Sequence, residues 1–304
     1  MIRLNINNEF SRLEQVVLGI SNDLGGVPNI KDCYDPKSKE HVINGTFPLE
    51  KDINKELENF LKILQKYDVQ VLRPSNISNL NQVFSRDIAF VIENKIIIPK
   101  IIKERNKEIE GIGNILADIN KEAIIKTPSD VRIEGGDVIL CDKYVFVGYS
   151  EYYDFEKYKV ARTNVLALDF LRSIFPDKII KGFQLNKSDD EAMMNALHLD
   201  CCFQPIGNGM VILHKQGFKS VEDIEFIVDY FGEECVIYID KMEMYDMTSN
   251  IFSISEEVIV SSNKFIRLNK ILRERGFIVE EVSFSEVGKM EGLLRCSTMP
   301  LRRR

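Results

Sequence analysis

The sequence predicts an α/β fold built as a five-bladed, pseudo-symmetric ββαβ propeller, a ring closed by pairing its N- and C-terminal strands. Three observations predict it. A hairpin, a helical stretch and a further strand recur with a period of about 50 to 60 residues, near the range of radial and stacked arrays. Two incomplete fragments remain, one at each end, and joined they make a fifth unit. The unusual polar residues fall at one register in each unit, where the chain enters the hairpin. Ordinary βαβ units in an open sheet are the competing arrangement, and a hairpin in every unit argues against them. Closing the ring also removes the exposed edges of an open array.

Taken in order, residues 13–20 (LEQVVLGI) form a strand rich in Val, Leu and Ile. Residues 21–48 carry Gly25, Gly26, Pro28, Pro36 and Gly45 and read as a long loop, a length that marks a functional lid or a disordered segment. Ile53, Leu57, Phe60, Leu61 and Leu64 recur at helical spacing on a charged background, ahead of a strand at 69–72. The second unit has a hairpin, 88–92 and 96–98, around Glu93-Asn94-Lys95, a charged helical stretch at 103–117, and a strand at 123–125. The third has a hairpin, 137–141 and 144–147, turning at Asp142-Lys143, a helix at 163–174 and a strand beginning near Ile179.

The fourth turns at Asn208-Gly209, a strong two-residue hairpin signal, then places a helix at 221–231 and a strand at 236–239. The fifth turns at Glu256-Glu257 between 250–252 and 258–260, and its helix, 265–275, closes on Gly276 before a strand at 277–282. The run 294–301 is left without a partner strand, and the first strand, helix and strand lack one. The two fragments complete each other.

With 304 residues and 44% hydrophobic content the chain has ample material for a large core, and the ring makes residues 1–304 a single domain. A net charge of -7 argues against a nucleic-acid partner, which needs a basic face. MIRLNINNEF lacks the layout of a signal peptide, and no apolar run approaches the ~18 residues of a membrane helix. The expectation is a cytoplasmic protein with no membrane partner, and a homo-oligomer is left open. Six scattered cysteines without a CxxC pair suggest reduced thiols, and three histidines never reach HxxxH spacing. No metal and no cofactor is expected.

The recurring polar residues are Asp87 after FSR, Glu134 and Asp137 in EGGD, His198 and Asp200 in HLD, Asn250, and Cys296 in RCSTMP. Singly, each has an ordinary explanation: a turn aspartate, a Gly-rich tight loop, a core histidine, a buried apolar cysteine. Recurrence at one register brings them together at the mouth of a channel. A thiolate needs a base or cation beside it, and His198 is the central candidate. Glu134 would orient the imidazole, giving Cys-His-Glu by the logic of the serine triad. Asp87 and Asp200 in one closed cavity call for a cation between them, and a planar guanidinium matches two carboxylates. Cys296 would then attack its central carbon while His198 protonates the departing amine. The partner so implied is a small guanidino substrate.

FSRD, EGGD, HLDCCF and RCSTMP resemble, in order and spacing, the guanidino-modifying pentein superfamily of arginine deiminases, dimethylarginine hydrolases and amidinotransferases. NEFSRLEQVVLG, GYS with the later ARTN, and SNIFSI resemble family segments too, so the likeness covers nearly the whole chain. It implies Cys296 as nucleophile, His198 as general acid and base, Glu134 as its orienter, Asp87 and Asp200 as guanidinium clamps, and the five-bladed fold. Asp137, Arg162 and Asn250 join them as substrate-binding candidates. Deiminases that bind a free α-carboxylate tend to carry an arginine just ahead of the Gly run before the cysteine; here Glu291 stands there. A carboxylate cannot hold a carboxylate, so Arg86, Arg132, Arg162 or Arg295 would have to take over.

The leading expectation is a cysteine hydrolase acting on a guanidino compound through a covalent amidino-thioether. An amidinotransferase, passing the amidino group from Cys296 to an amine, shares the first half-reaction. A non-catalytic binding ring, as in ribosome anti-association factors, is the third reading, and the complete Cys, His and acid set speaks against it.

Overall fold

The computed structural model describes residues 1–304. The first strand, β1 (Leu13–Leu18), is followed by α1 (Pro36–Ile43), the amphipathic α2 (Glu50–Lys66) and β2 (Gln70–Leu72). Next come the short α3 (Ser85–Ile88), the hairpin β3 (Phe90–Ile92) and β4 (Lys95–Ile98), α4 (Gly113–Ala117) and β5 (Ile124–Lys126). A third module contains β6 (Val138–Cys141), β7 (Tyr144–Tyr149), α5 (Tyr152–Lys157), α6 (Leu166–Ile174) and β8 (Ile179–Gln184). A fourth contains β9 (Phe203–Pro205), β10 (Val211–Leu213), α7 (Val221–Phe231), β11 (Val236–Tyr238) and α8 (Lys241–Tyr245). The last is β12 (Phe252–Ser253), β13 (Val258–Ser262), α9 (Ile266–Glu274) and β14 (Ile278–Val282), and β15 (Thr298–Arg303) ends the order.

Five three-stranded sheets result, all on one plan: an antiparallel pair whose second strand takes a parallel third strand after a helical crossover. The sheet β15-β1-β2 draws on both ends of the chain, Leu13 opposite Arg303 and Leu18 opposite Thr298. Hairpin turns fall where short polar residues accept a left-handed backbone, as at Asn208 (φ 59) and Gly209 (φ 69). No helix is long and apolar enough to cross a membrane.

Packing follows the apolar periodicity. On α2, Ile53, Leu57, Phe60 and Leu64 are fully buried, and the Phe60 ring meets Phe252 at 5.8 Å and Phe284 at 5.7 Å, both edge-on. Glu50 and Asp52 in its first turn and Lys66 in its last suit the helix dipole. Phe146, Phe183 and Phe203 form the aromatic centre between the third and fourth modules, with centroids 5.3 to 5.9 Å apart.

Three elements differ from the sequence reading. Residues 21–48 are not a plain loop: Asp35 caps α1 by accepting from the Ser38 amide at 2.6 Å, with Pro36 at the first helical position. The stretch 103–117 is not one α-helix: Asn106–Ile112 form a 3-10 helix and only Gly113–Ala117 are α-helical, because its charged residues supply no continuous apolar face. Cys296 lies in the turn before β15 rather than within the strand, and Pro300, which would have no amide to donate, is inside it.

Candidate active site

Each polar side chain of the recurring set stands at the entry to a hairpin or edge strand, as the register predicts. Asp87 lies on α3 just before β3; Glu134 and Asp137 bracket the Gly-Gly turn before β6; His198 and Asp200 begin a 3-10 turn before β9; Asn250 precedes β12 and Cys296 precedes β15. All are buried, none more than 3% exposed. The Gly-Gly turn is a matter of space. A Cβ at Gly135 would sit 2.0 Å from the Arg86 carbonyl oxygen, and one at Gly136 would sit 2.6 Å from His198 Nδ1 and 2.9 Å from Asp87 Oδ1.

Cys296 Sγ lies 3.1 Å from Asn250 Nδ2, which donates to it, and 3.6 Å from Asp200 Oδ2. The Cys296 amide donates back to Asn250 Oδ1 at 3.1 Å, fixing the turn. His198 donates from Nε2 to Glu134 Oε2 at 2.9 Å, while Nδ1 faces Asp87 Oδ1 at 3.7 Å. Glu134 in turn receives Arg162 Nη1 at 3.0 Å, and Asp87 receives Arg105 Nη1 at 2.7 Å and the Gly136 amide at 3.0 Å. Asp200 Oδ2 accepts from Arg295 Nη1 at 2.8 Å. Asp137 Oδ1 accepts from the Leu199 amide at 2.9 Å, and Oδ2 has no partner.

One expected contact is absent: no hydrogen bond joins Cys296 to His198. The imidazole is turned toward the carboxylates, and the thiol rests on Asn250 and Asp200. Burial, then Asp200 and Asp87, push the Cys296 thiol well above its ordinary value, so the free site holds it neutral. Burial alone would keep His198 neutral, but Asp87, Asp137 and Glu134 outweigh it and raise the imidazole. Against the opposing effect of burial, Arg162 and His198 keep Glu134 ionised. The site thus sets a raised imidazole beside Asp87 and Glu134, and a neutral thiol beside Asp200 and Asn250.

The profile of the family described as N,N dimethylarginine dimethylhydrolase, eukaryotic, matches residues 48–303. The chain belongs to that family. The Bacillus subtilis (strain 168) protein YkgA, itself uncharacterized, is 27% identical over 297 residues, which is 97% of this chain and 94% of that one. The arginine deiminase of Listeria monocytogenes serotype 4a (strain HCC23) is 25% identical over 264 residues, 73% of this chain but 61% of the deiminase's own length. Among solved structures, SxtG, an amidinotransferase from Microseira wollei, matches with a TM-score of 0.75 at 19% identity, over 99% of this chain and 97% of its own. The N-terminal domain of ArgZ, a cyanobacterial arginine dihydrolase, reaches 0.78 at 16% identity over 95% of this chain and 97% of that domain. At these identities the structural likeness concerns the fold. Together with the family match, it places this dimethylhydrolase-family chain among the guanidino-modifying pentein enzymes, as its motifs predict.

Sequence reasoning missed the partners that hold the dimethylhydrolase-family site together. Arg105 grips Glu108 through two nitrogens at 2.9 and 2.8 Å as well as Asp87, yet its KERNKE context has no periodic signal. Glu9 receives Arg295 at 3.0 and 3.2 Å and lies 3.8 Å from Arg86; although burial opposes it, Arg295 and Arg86 hold its carboxyl down to about 2. Lys187, which burial lowers, donates to the Ala196 and Leu197 carbonyls at 2.8 and 2.7 Å and so sets the turn ahead of His198. Of the arginines considered as carboxylate clamps, Arg132 is exposed over the Phe155 ring, and Arg86, Arg162 and Arg295 face protein carboxylates. Asp87, Glu134 and His198 lie close enough to share a metal ion, within 4.8 Å. Arg105 and Arg162 already supply the positive charge there, so the donor set suits hydrogen-bonded ions better than a metal.

Proposed function

We propose that the chain is a cysteine-dependent hydrolase acting on the guanidino group of arginine or a related compound, N-methylated arginines included. The observation that carries this reading is the row of groups at the buried centre: Cys296 Sγ 3.6 Å from Asp200, and Asp87 3.7 Å from His198, itself on Glu134. Asp87 and Asp200 clamp the guanidinium from its two sides, and Asn250 steadies the sulfur. Asp137 and Arg162 support His198 and Glu134 from behind. The row follows from five modules closing a ring, residues 1–304 forming one catalytic domain around its axis.

The raised thiol gives the order of events. In the free site two carboxylates disfavour a thiolate; a bound guanidinium reverses that field, and the thiol loses its proton to solvent. Sulfur attacks the guanidinium carbon, forming a C–S bond, and the C=N electron pair moves onto nitrogen. His198, held protonated by its three carboxylate neighbours, gives its proton to the departing amine as the C–N bond breaks. An amidino-thioether remains on Cys296. Neutral His198 then takes a proton from water, whose oxygen attacks the same carbon, and expulsion of the thiolate gives a urea-type product.

Transfer to an amine would use the same first half. Incubating the protein with arginine or a methylated arginine, with and without glycine or lysine as acceptor, separates the two. A hydrolase releases ammonia or methylamine from the donor alone; release that requires the acceptor overturns hydrolysis in favour of transfer.

A further inference from the structure

Every reacting group is buried, so substrate reaches Cys296 only if something moves. The cover is the stretch around α1. Tyr34, Asp35, Pro36, Lys37 and Ser38 pack inward: the Tyr34 carbonyl accepts Arg162 Nη2 at 2.6 Å, and the Tyr34 ring lies 5.6 Å from the Arg162 guanidinium and 6.0 Å from that of Arg105. A further contact of this stretch runs to Glu291, just ahead of Gly292 and Cys296. Glu291 Oε2 accepts the Lys37 amide at 3.2 Å, Oε1 accepts Asn195 Nδ2 at 2.7 Å, and its carboxyl meets that of Asp35. One side chain therefore ties together the cover, the turn leading to His198 and the turn leading to Cys296. Its backbone is left-handed (φ 56), a conformation that a buried, non-glycine residue keeps only when its contacts demand it.

We propose that Glu291 is a positioning residue that latches the 21–48 segment shut over the site, through one proton shared with Asp35, and that the cover opens as that proton is lost. Two carboxylates in contact away from water cannot both ionise cheaply. Burial, then Asp35, raises Glu291 far above the carboxylate range, and burial raises Asp35 too. The surrounding groups are Lys37 on α1, Tyr245 and Asp246 at the end of α8, Arg162 ahead of α6, and Cys201 beside His198. Lys37 is spent elsewhere: its ammonium donates to the Tyr245 carbonyl at 2.5 Å and lies 4.3 Å from that ring's centre. The sign follows from linkage. The closed form binds the shared proton more tightly than the open form, in which both acids meet water. Closure is therefore complete below the ordinary carboxyl range and is lost as pH rises toward the raised value of the pair.

The idea rests on the proposed function only in treating Cys296 as the group being covered, and its test needs no turnover. Full-length protein is digested briefly across a pH series, and cleavage within 21–48 is normalised to an unstructured peptide of the same sequence. Cleavage should rise about tenfold per pH unit above the ordinary carboxyl range and then level off. Glu291→Gln and Asp35→Asn replace the shared proton by an amide hydrogen and should stay closed throughout. Glu291→Ala should be open at every pH. A wild-type response that is flat with pH, or a Glu291→Gln variant that follows the wild-type curve, overturns the latch. Absence of guanidino turnover in the same wild-type protein would overturn the proposed function and leave this result standing.

Discussion

Cys296 and His198 are equally buried, but their neighbours push them toward opposite roles. Burial and the acids beside it raise the thiol, while the acids beside the imidazole raise it against the opposing effect of burial. Cys296→Ala should lower kcat by at least about a thousandfold while leaving the thermal transition in place, because the proposed nucleophile is lost but not the packing around it. In the proposed reaction His198 donates a proton, so kcat should fall as pH rises through its elevated pKa. Glu134→Gln removes one of the charges that elevate it, so that limb of the pH profile should move to lower pH; an unmoved limb would assign it to another group. Glu9 governs the acid side of stability. Its folded value, about 2, lies below its ordinary 4.5, so the stabilisation it confers is present above that ordinary value and is lost as pH falls toward 2. Glu9→Gln leaves Arg295 and Arg86 without their shared counter-charge and should cost about 3–5 kcal/mol in denaturant titration. Cys296 and the EGGD turn were legible because polar residues recur at one register, the entry to each hairpin. Their counter-ions were not: Arg105, Glu9 and Lys187 are common residues whose meaning comes only from what the fold sets beside them.

At the scale of elements, the periodic pieces were readable and the irregular ones were not. The five apolar positions of α2 recur every three or four residues, so the helix could be placed from spacing alone. Phe60→Ala should destabilise the protein by about 3–5 kcal/mol, read as a lowered denaturation midpoint, because its ring fills the space between Phe252 and Phe284. Below that midpoint, turnover per folded molecule should be unchanged, since the ring touches none of the reacting groups. In the segment 21–48, glycines and prolines hid α1. A helix of eight residues whose buried end is Pro-Lys-Ser has too little apolar pattern to announce itself, and what holds it is Asp35 at its cap and Glu291 beyond it. Cys296 was placed within a strand for a related reason, as no Gly, Pro, Asn or Asp marks the turn between Leu293 and β15.

For the whole molecule, the repeat itself was the strongest signal, because a hairpin, crossover and parallel strand recur in five sheets of one plan. A ring of such modules should unfold in one cooperative thermal transition; two separated transitions would show instead that the modules form independent bodies. The pairing of β1 with β15 also has a consequence for synthesis. Leu13 leaves the ribosome long before Arg303, its partner, so β1 waits with one edge unsatisfied while four other modules are being made. During that wait the chain has Asp87, Glu134, His198 and Asp200 but not Cys296. The turn that carries Cys296 and the strand that pairs with β1 emerge together, so in the proposed reaction the site gains its nucleophile only as the first sheet gains its edge strand.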